Sequence, residues 1–181
     1  MKKEELGILK VGDKIIDFGW VYRIFKISSQ KTTTGRKRII YFRPYFKKGG
    51  NQGLVCTVPE DNLSETNIRR PTGKKEIGIL LRRIPNLIRS AEEISPGRIQ
   101  QAISDSDLTE MIKLLKYLYY NRKSEGKDFT VSQKRTFNSL ANRVAEEAAL
   151  VLDKKPEQIK EKIDRYLKKG LGNIVKTSEK K

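Results

Sequence analysis

The period of the hydrophobic residues changes once along this 181-residue chain, near Pro71-Thr72-Gly73. Before that point, short runs rich in Ile, Val, Phe and Tyr alternate with turn-forming residues, which is the pattern of β-strands. After it, apolar residues recur at helical spacing. A chain with such a change cannot form one continuous sheet or one continuous helical bundle. We therefore expect an α+β protein with two domains, residues 1–75 and 76–170, followed by a flexible tail over 171–181.

The front domain is predicted to be a small β-barrel. Gly19 indicates a bend or bulge, Ser28–Gly35 is a turn-prone connection, and Lys47–Gly53 has the composition of a hairpin loop. Four or five strands of about five residues at this spacing are typical of an SH3-like or Tudor-like barrel. The strands are expected at Lys14–Phe18, Trp20–Ile27, Arg38–Phe42 and Leu54–Val58.

The second domain is predicted to be compact and all-α. Pro85 ends a first helical face, and one of the residues Ser104–Asp107 caps a clearly amphipathic helix. Another helix starts after Thr130 or Ser132, and Pro156 suits the first position of a last helix that stops at Gly170. The helices are expected around 77–84, 98–103, 108–119, 131–151 and 156–170.

The chain is strongly basic, with a formal net charge of +17. Residues 1–75 hold 17 basic and 7 acidic residues (+10), and the remainder holds 22 and 15 (+7), so no single tail explains the charge. Such an excess favours a nucleic-acid partner over an anionic membrane or an acidic protein. No apolar run has the length of a signal peptide or a membrane span. We expect a cytoplasmic, nucleoid-associated protein with no membrane partner.

Catalysis is not expected. The chain has no histidine, so the usual general base near neutral pH is missing. Its one cysteine, Cys56, lies in a predicted strand, where a buried inert thiol is the usual situation, and it cannot form an internal disulfide. No glycine-rich phosphate loop or metal-ligand cluster is present in the sequence. These features predict a non-enzymatic protein without cofactor or metal.

Short motifs along residues 9–152 resemble those of the CarD and CdnL family of bacterial transcription regulators. In the front domain they are Val11-Gly12-Asp13 and Val58-Pro59 with Asn62. In the helical part they are Ser106-Asp107-Leu108, Gln133-Lys134-Arg135 and Glu146-Glu147. The resemblance implies that the front domain binds the β subunit of RNA polymerase. It also implies that a monomer lies on promoter duplex DNA near the melted region and stabilises the open complex.

Basic side chains are the candidates for both interfaces. Those of the barrel loops could equally be solubility charges or edge lysines that discourage aggregation. Those of the helices could belong to an ordinary solvated face. If the resemblance holds, the residues that bind polymerase are Lys31, Arg36, Arg38, Ile40 and Thr57. Those that bind DNA are Arg89, Arg98, Lys116, Arg122, Lys134 and Arg135.

The chain departs from the family pattern in the turn at Asp17-Phe18-Gly19-Trp20 and, more importantly, at a tryptophan. The resemblance implies a tryptophan just before the helical core, which wedges into the minor groove. The stretch Asn86–Gly97 contains no aromatic residue, and the only tryptophan, Trp20, lies in the front domain. We therefore expect DNA binding that rests on phosphate contacts, with smaller apolar wedges at most. The candidates for such wedges are Leu87, Ile88 and Ile94.

A basic RNA-binding or ribosome-associated protein is the alternative interpretation. In that case the barrel contacts RNA, and its aromatic residues form a stacking platform instead of core and rim packing. Tyr119 and Tyr120 are ambiguous, because adjacent residues of a helix cannot both point to one apolar face. Tyr120 is then a candidate for contact with a sugar-phosphate backbone.

Overall fold

The computed structural model describes residues 6–32, 35–47, 49–86, 95–124 and 128–178. Within these ranges the chain forms an antiparallel sheet followed by helices, which is the expected α+β class. The chain divides into two compact units. The first comprises the chain up to Pro71 together with Ser104–Ser106, and the second comprises Thr72–Ile103 and the chain from Asp107 onward.

The sheet of the first unit is a four-stranded meander in the order β1-β2-β3-β4. Beyond its outer strands, Ile16 of β1 exchanges two backbone hydrogen bonds of 2.8 and 3.0 Å with Arg69. No described ladder joins β1 to β4, so the sheet is not closed into the predicted barrel. The strands are β1 (Lys14–Asp17), β2 (Trp20–Thr32), β3 (Gly35–Pro44) and β4 (Cys56–Pro59).

The turn between β1 and β2 is tighter than the predicted bend. Asp17 pairs with Trp20, so Phe18 and Gly19 alone form the loop, with φ of 47° and 75°. Positive φ at both positions is the signature of a type I′ turn, whose twist matches that of the flanking strands. The bulge lies elsewhere, at Phe25, where the register between β2 and β3 shifts.

The chain reverses within the predicted connection Ser28–Gly35, but the connection is shorter than predicted. Strand β2 continues to Thr32, which pairs with Gly35 at the start of β3. The register continues from the buried part of the hairpin through the pair Lys31 and Arg36. Because each further residue adds cross-strand backbone pairing, the hairpin outweighs the turn-like composition of this segment.

The core of the first unit lies on one face of the sheet. Tyr22 and Phe42 meet there edge to face, with ring centroids 5.3 Å apart. Trp20 is partly buried against this core, so it is not exposed as a wedge. The buried members of the core are Leu9, Ile15, Tyr22, Ile24, Ile40, Phe42, Val58 and Ile68.

The helices of the second unit begin close to their predicted positions. The side chain of Asp107 accepts a 3.0 Å hydrogen bond from the backbone N–H of Glu110 and caps one helix, while Thr130 caps the next. Pro156 occupies the first position of the last helix, as predicted. The helices are α1 (Lys74–Arg83), α2 (Pro96–Ser104), α3 (Leu108–Ser124), α4 (Val131–Leu152) and α5 (Pro156–Ser178). Short 3-10 segments are also present among the described residues, at Glu60–Glu65 in the first unit and at Ile84–Asn86 in the second.

The predicted end of the last helix at Gly170 is wrong. The helical backbone of α5 continues to Ser178 and covers most of the predicted tail. Gly170 is buried, and a β-carbon there would lie 2.8 Å from the carbonyl oxygen of Pro85. The glycine therefore allows close packing inside the unit instead of ending the helix.

Both ambiguous tyrosines are buried. Tyr119 is 8% exposed and Tyr120 is 2% exposed, so the suggestion that Tyr120 contacts a nucleic-acid backbone is wrong. Neighbouring residues of α3 can both be buried because other helices cover more than one of its faces, as the buried Met111, Leu114 and Leu115 also indicate.

A buried carboxylate holds the entrance to α1. Glu147 of α4 is fully buried and accepts 2.8 Å hydrogen bonds from both the backbone N–H and the hydroxyl of Thr72. Because Thr72 lies two residues before α1, the negative charge of Glu147 also faces the positive end of that helix. The Glu146-Glu147 pair of the sequence motif is thus part of the packing of this unit.

Candidate nucleic-acid interfaces

The first two turns of α4 present two of the predicted DNA-binding residues to solvent. Thr130 and Gln133 form a capping box, in which each side chain accepts a hydrogen bond from the backbone N–H of the other, at 3.3 and 3.1 Å. Lys134 and Arg135 follow immediately and are exposed. A helix N-terminus carries positive partial charge, so phosphate is favoured there even before the side chains are counted.

Arg122 supports this turn. Its Nε donates a 2.6 Å hydrogen bond to Oε1 of Gln133, and its Nη2 donates to the same oxygen. The guanidinium thereby links the end of α3 to the capping box of α4. Arg122 was predicted to bind DNA, and the structure gives it a positioning role.

Lys116 is not available to a phosphate. Its side chain is only 4% exposed, and its Nζ donates to the carbonyl oxygen of Pro85 at 3.3 Å. The ammonium also lies 5.0 Å from the ring centroid of Tyr120. Burial lowers the pKa of this lysine. The sequence showed a polar residue among apolar ones but could not show that Pro85 and Tyr120 contact its side chain.

Arg98 is engaged within its own unit. Its guanidinium forms an ion pair of 2.6 Å with Glu110, which also contacts Lys113 at 3.3 Å. Burial alone would raise the pKa of Glu110, but the hydrogen bonds and charges of Arg98 and Lys113 outweigh burial and lower it. A phosphate at Arg98 would have to compete with this carboxylate. The last predicted DNA contact, Arg89, lies outside the described residues together with Leu87, Ile88 and Ile94.

Four of the five predicted polymerase-binding residues reach solvent. Lys31 and Arg36 are exposed and face each other across the β2–β3 hairpin. Arg38 forms an ion pair of 2.9 Å with Glu60. Thr57 is exposed on the edge strand β4.

Ile40 is fully buried and does not fit that role. Its side chain belongs to the core, and its strand β3 pairs with neighbours on both sides. Neither the side chain nor the strand edge is therefore open to a partner. The alternation of strands could have indicated this, since Ile40 and the buried Phe42 are two residues apart.

The outer face of the sheet carries a basic row that the sequence did not reveal. Lys14, Arg23 and Arg43 are direct neighbours in the register of β1, β2 and β3. Directly opposite residues share one face of a sheet, with Cβ atoms about 4.5–5.5 Å apart. Arg23 and Arg43 are exposed, and Lys14 is half-buried and donates a 2.8 Å hydrogen bond to the carbonyl of Gly12.

A second row on the same face contains Lys26, Tyr41 and Thr57, which are neighbours in the register of β2, β3 and β4. The Nζ of Lys26 lies 5.1 Å from the ring centroid of Tyr41. Phe25, the bulged residue, lies between the two rows in sequence, and the guanidinium of Arg43 stands 5.1 Å from its ring centroid. This arrangement cannot be predicted from the sequence, because the bulge interrupts the alternation of inward-facing and outward-facing residues along β2.

In the described part of the chain, no group of three or more His, Cys, Asp and Glu residues is arranged to hold a metal ion. Cys56 is half-buried, and burial together with the nearby charge of Asp17 raises the pKa of its thiol. A raised pKa keeps the thiol protonated at neutral pH and makes it a poor nucleophile.

None of the described helices is long and apolar enough to cross a membrane. A scan of the chain against models of known protein families found no match, and a search of curated proteins also found none.

Proposed function

We propose that this protein is a bacterial transcription regulator that binds the β subunit of RNA polymerase through its sheet unit and promoter DNA through its helical unit. The proposal joins the resemblance to CarD and CdnL regulators with the surfaces described above. The sheet unit acts as a docking module of SH3 or Tudor type, and the compact helical unit lies near the melted region. The protein acts as a monomer.

Docking on polymerase uses the hairpin of β2 and β3 and the edge of β4. An exposed strand edge binds an extended segment of a partner through backbone hydrogen bonds. Strand β4 suits this role because it is the last strand of the sheet and Thr57 at its centre is exposed. Lys31 and Arg36 add positive charge at the hairpin, which favours an acidic partner surface.

The proposal of DNA binding rests mainly on one observation: Lys134 and Arg135 are both exposed in the first turns of α4. The capping box fixes the position of this turn, and Arg122 ties it to α3. Two cations beside a helix N-terminus bind phosphates without regard to sequence, which suits a protein that acts at many promoters. Lys116 and Ile40 are left out of the proposed contacts because both are buried.

The mechanism is a shift of population. The protein contacts the open promoter complex better than the closed one, and the fraction of melted promoter rises accordingly. A difference of about 1.4 kcal/mol in binding free energy would change the ratio of the two states tenfold.

A promoter-opening assay with purified polymerase tests the function directly. We expect the full chain to increase the melted fraction of a promoter with an unstable open complex, and Lys134→Ala to reduce the effect several-fold. Lys154→Ala, which removes an exposed lysine two residues beyond the other end of α4, is the matched control. No change in promoter melting on addition of the wild-type protein would contradict the proposal.

A further inference from the structure

Apart from Thr57, the residues on the outer face of the sheet have no role in the function proposed above. The basic side chains among them nevertheless stand close enough to repel one another. Lys14, Arg23 and Arg43 follow one another across three strands. Like charges at directly opposite positions destabilise a sheet. Among the described residues no carboxylate forms an ion pair with any of the three, so no described anion offsets the repulsion. A bound polyanion would compensate it.

The aromatic residues on this face favour single-stranded nucleic acid over other polyanions. Phe25 and Tyr41 are half-buried and lie edge to face, with ring centroids 6.4 Å apart. Arg43 and Lys26 already stand against their rings. A flat surface with interleaved aromatic and basic groups is suited to unstacked bases and the phosphates that connect them. A duplex would reach the cations but keep its bases away from the rings.

Hydroxyl groups favour RNA over single-stranded DNA. The hydroxyls of Tyr41 and Thr57 lie at neighbouring register positions, and Ser28 donates a hydrogen bond of 3.5 Å to the hydroxyl of Tyr41. Such groups can both donate to and accept from a ribose 2′-hydroxyl. We propose that the outer face of the sheet, formed by Lys14, Arg23, Phe25, Lys26, Tyr41 and Arg43, is a binding site for single-stranded RNA.

Fluorescence anisotropy with the full chain tests this site. The probes are labelled oligonucleotides of 20 uridines and 20 thymidines and a mixed-sequence RNA duplex of the same length. We expect the tightest binding for the uridine strand. Each phosphate contact on a single strand contributes about 0.7 to the slope of log K against log salt, so Arg23→Gln should weaken binding about fivefold at 0.1 M salt. Lys154→Gln, an equal change of charge on the helical unit, should leave the affinity within twofold.

The aromatic and hydroxyl parts of the proposal are tested separately. Loss of stacking in Tyr41→Leu should weaken uridine binding roughly fivefold or more. Tyr41→Phe keeps the ring and should retain most of the affinity while reducing the preference for uridine over thymidine. A circular dichroism melt of each variant verifies the fold.

Two results would overturn the proposal: thymidine strands that bind as tightly as the uridine strand, or equal effects of Arg23→Gln and Lys154→Gln on uridine binding. The assay contains neither polymerase nor promoter DNA. Failure here therefore leaves the proposed transcription function untouched, and failure of promoter opening leaves this site untouched.

Discussion

Gly170 of α5 lies directly against Tyr120 of α3, with no room for a side chain between them. A β-carbon at position 170 would collide with the phenolic oxygen of Tyr120 and lie 2.8 Å from the carbonyl oxygen and 2.9 Å from the α-carbon of Pro85. The hydroxyl of Tyr120 is buried in this contact and has no hydrogen-bond partner among the described atoms. The packing of the helical unit therefore requires glycine at position 170. It also leaves the buried hydroxyl of Tyr120 without a hydrogen bond.

Gly170→Ala should destabilise the protein by about 1–3 kcal/mol, because the new methyl group must displace backbone atoms of Pro85. Gly78→Ala is the matched control, since a β-carbon there meets only the end of the Arg82 side chain, at 3.9 Å. Alanine is the better helix former, so Gly78→Ala should stabilise by up to about 1 kcal/mol. Urea unfolding monitored by circular dichroism measures both. Equal effects would contradict the close contact at Gly170.

At pH 7, the Tyr120→Phe variant should be as stable as the wild type or more stable by about 1 kcal/mol, because the substitution removes a buried hydroxyl that has no hydrogen-bond partner. The substitution should also change how the free energy of unfolding depends on pH in the alkaline range. Burial, with a smaller contribution from Tyr119, raises the pKa of Tyr120 from 10.0 to about 12. The unfolded chain therefore loses this proton first, and the stability contributed by the neutral phenol is complete below pH 10 and lost by about pH 12.

The comparison of wild type and Tyr120→Phe between pH 9 and about pH 12 isolates this effect from the other titrating groups. We expect the wild type to lose about 2 kcal/mol more than the variant over this range. Parallel curves would mean that the hydroxyl of Tyr120 is solvated in the folded protein.

Lys134→Ala should weaken duplex DNA binding without lowering the thermal midpoint, because Lys134 is exposed and the capping box does not use its side chain. The slope of log K against log salt should become less steep by about one unit, the contribution of one phosphate contact. Fluorescence anisotropy at several salt concentrations gives the slope. An unchanged slope would remove Lys134 from the interface.

A second comparison tests whether binding depends on phosphates or on a wedge. With no aromatic residue in 86–97, we expect Ile94→Ala to reduce promoter opening less than Lys134→Ala does. The opposite order would indicate that an apolar wedge contributes more than the phosphate contacts of α4.

Arg23→Gln should raise the stability of the sheet unit by roughly 0.5 kcal/mol, since it relieves repulsion from Lys14 and Arg43. Added salt should stabilise the wild type more than the variant, because salt screens the same repulsion. Thermal unfolding at 20 mM and 500 mM salt, roughly a fivefold change in screening length, provides the measurement. A destabilised variant would show that Arg23 makes a favourable contact.

The sequence predicted what depends on local signals and missed what depends on pairing in space. The starts of α3, α4 and α5 follow from Asp107, Thr130 and Pro156, because caps act over three or four residues. The basic row of Lys14 and Arg43 depends on which residues of β1, β2 and β3 stand opposite one another, and turn lengths and the bulge at Phe25 contribute to that register.

The wrong residue assignments have the same origin. Lys116 looked like a surface lysine because nothing in the sequence indicates that Pro85 and Tyr120 enclose it. Gly170 looked like a helix end because glycine is common at that position, and only the neighbouring helix reveals its other use.

Docking on RNA polymerase is the central claim, and binding of the full chain to purified polymerase measures it most directly. We expect a saturable complex through the β subunit, weakened at least tenfold by the double substitution Lys31→Ala and Arg36→Ala at the β2–β3 hairpin. The double substitution Lys154→Ala and Lys155→Ala removes the same charge from an exposed segment of the helical unit and should have little effect. Wild-type protein that does not bind polymerase, or binds it equally in both double variants, would contradict the account.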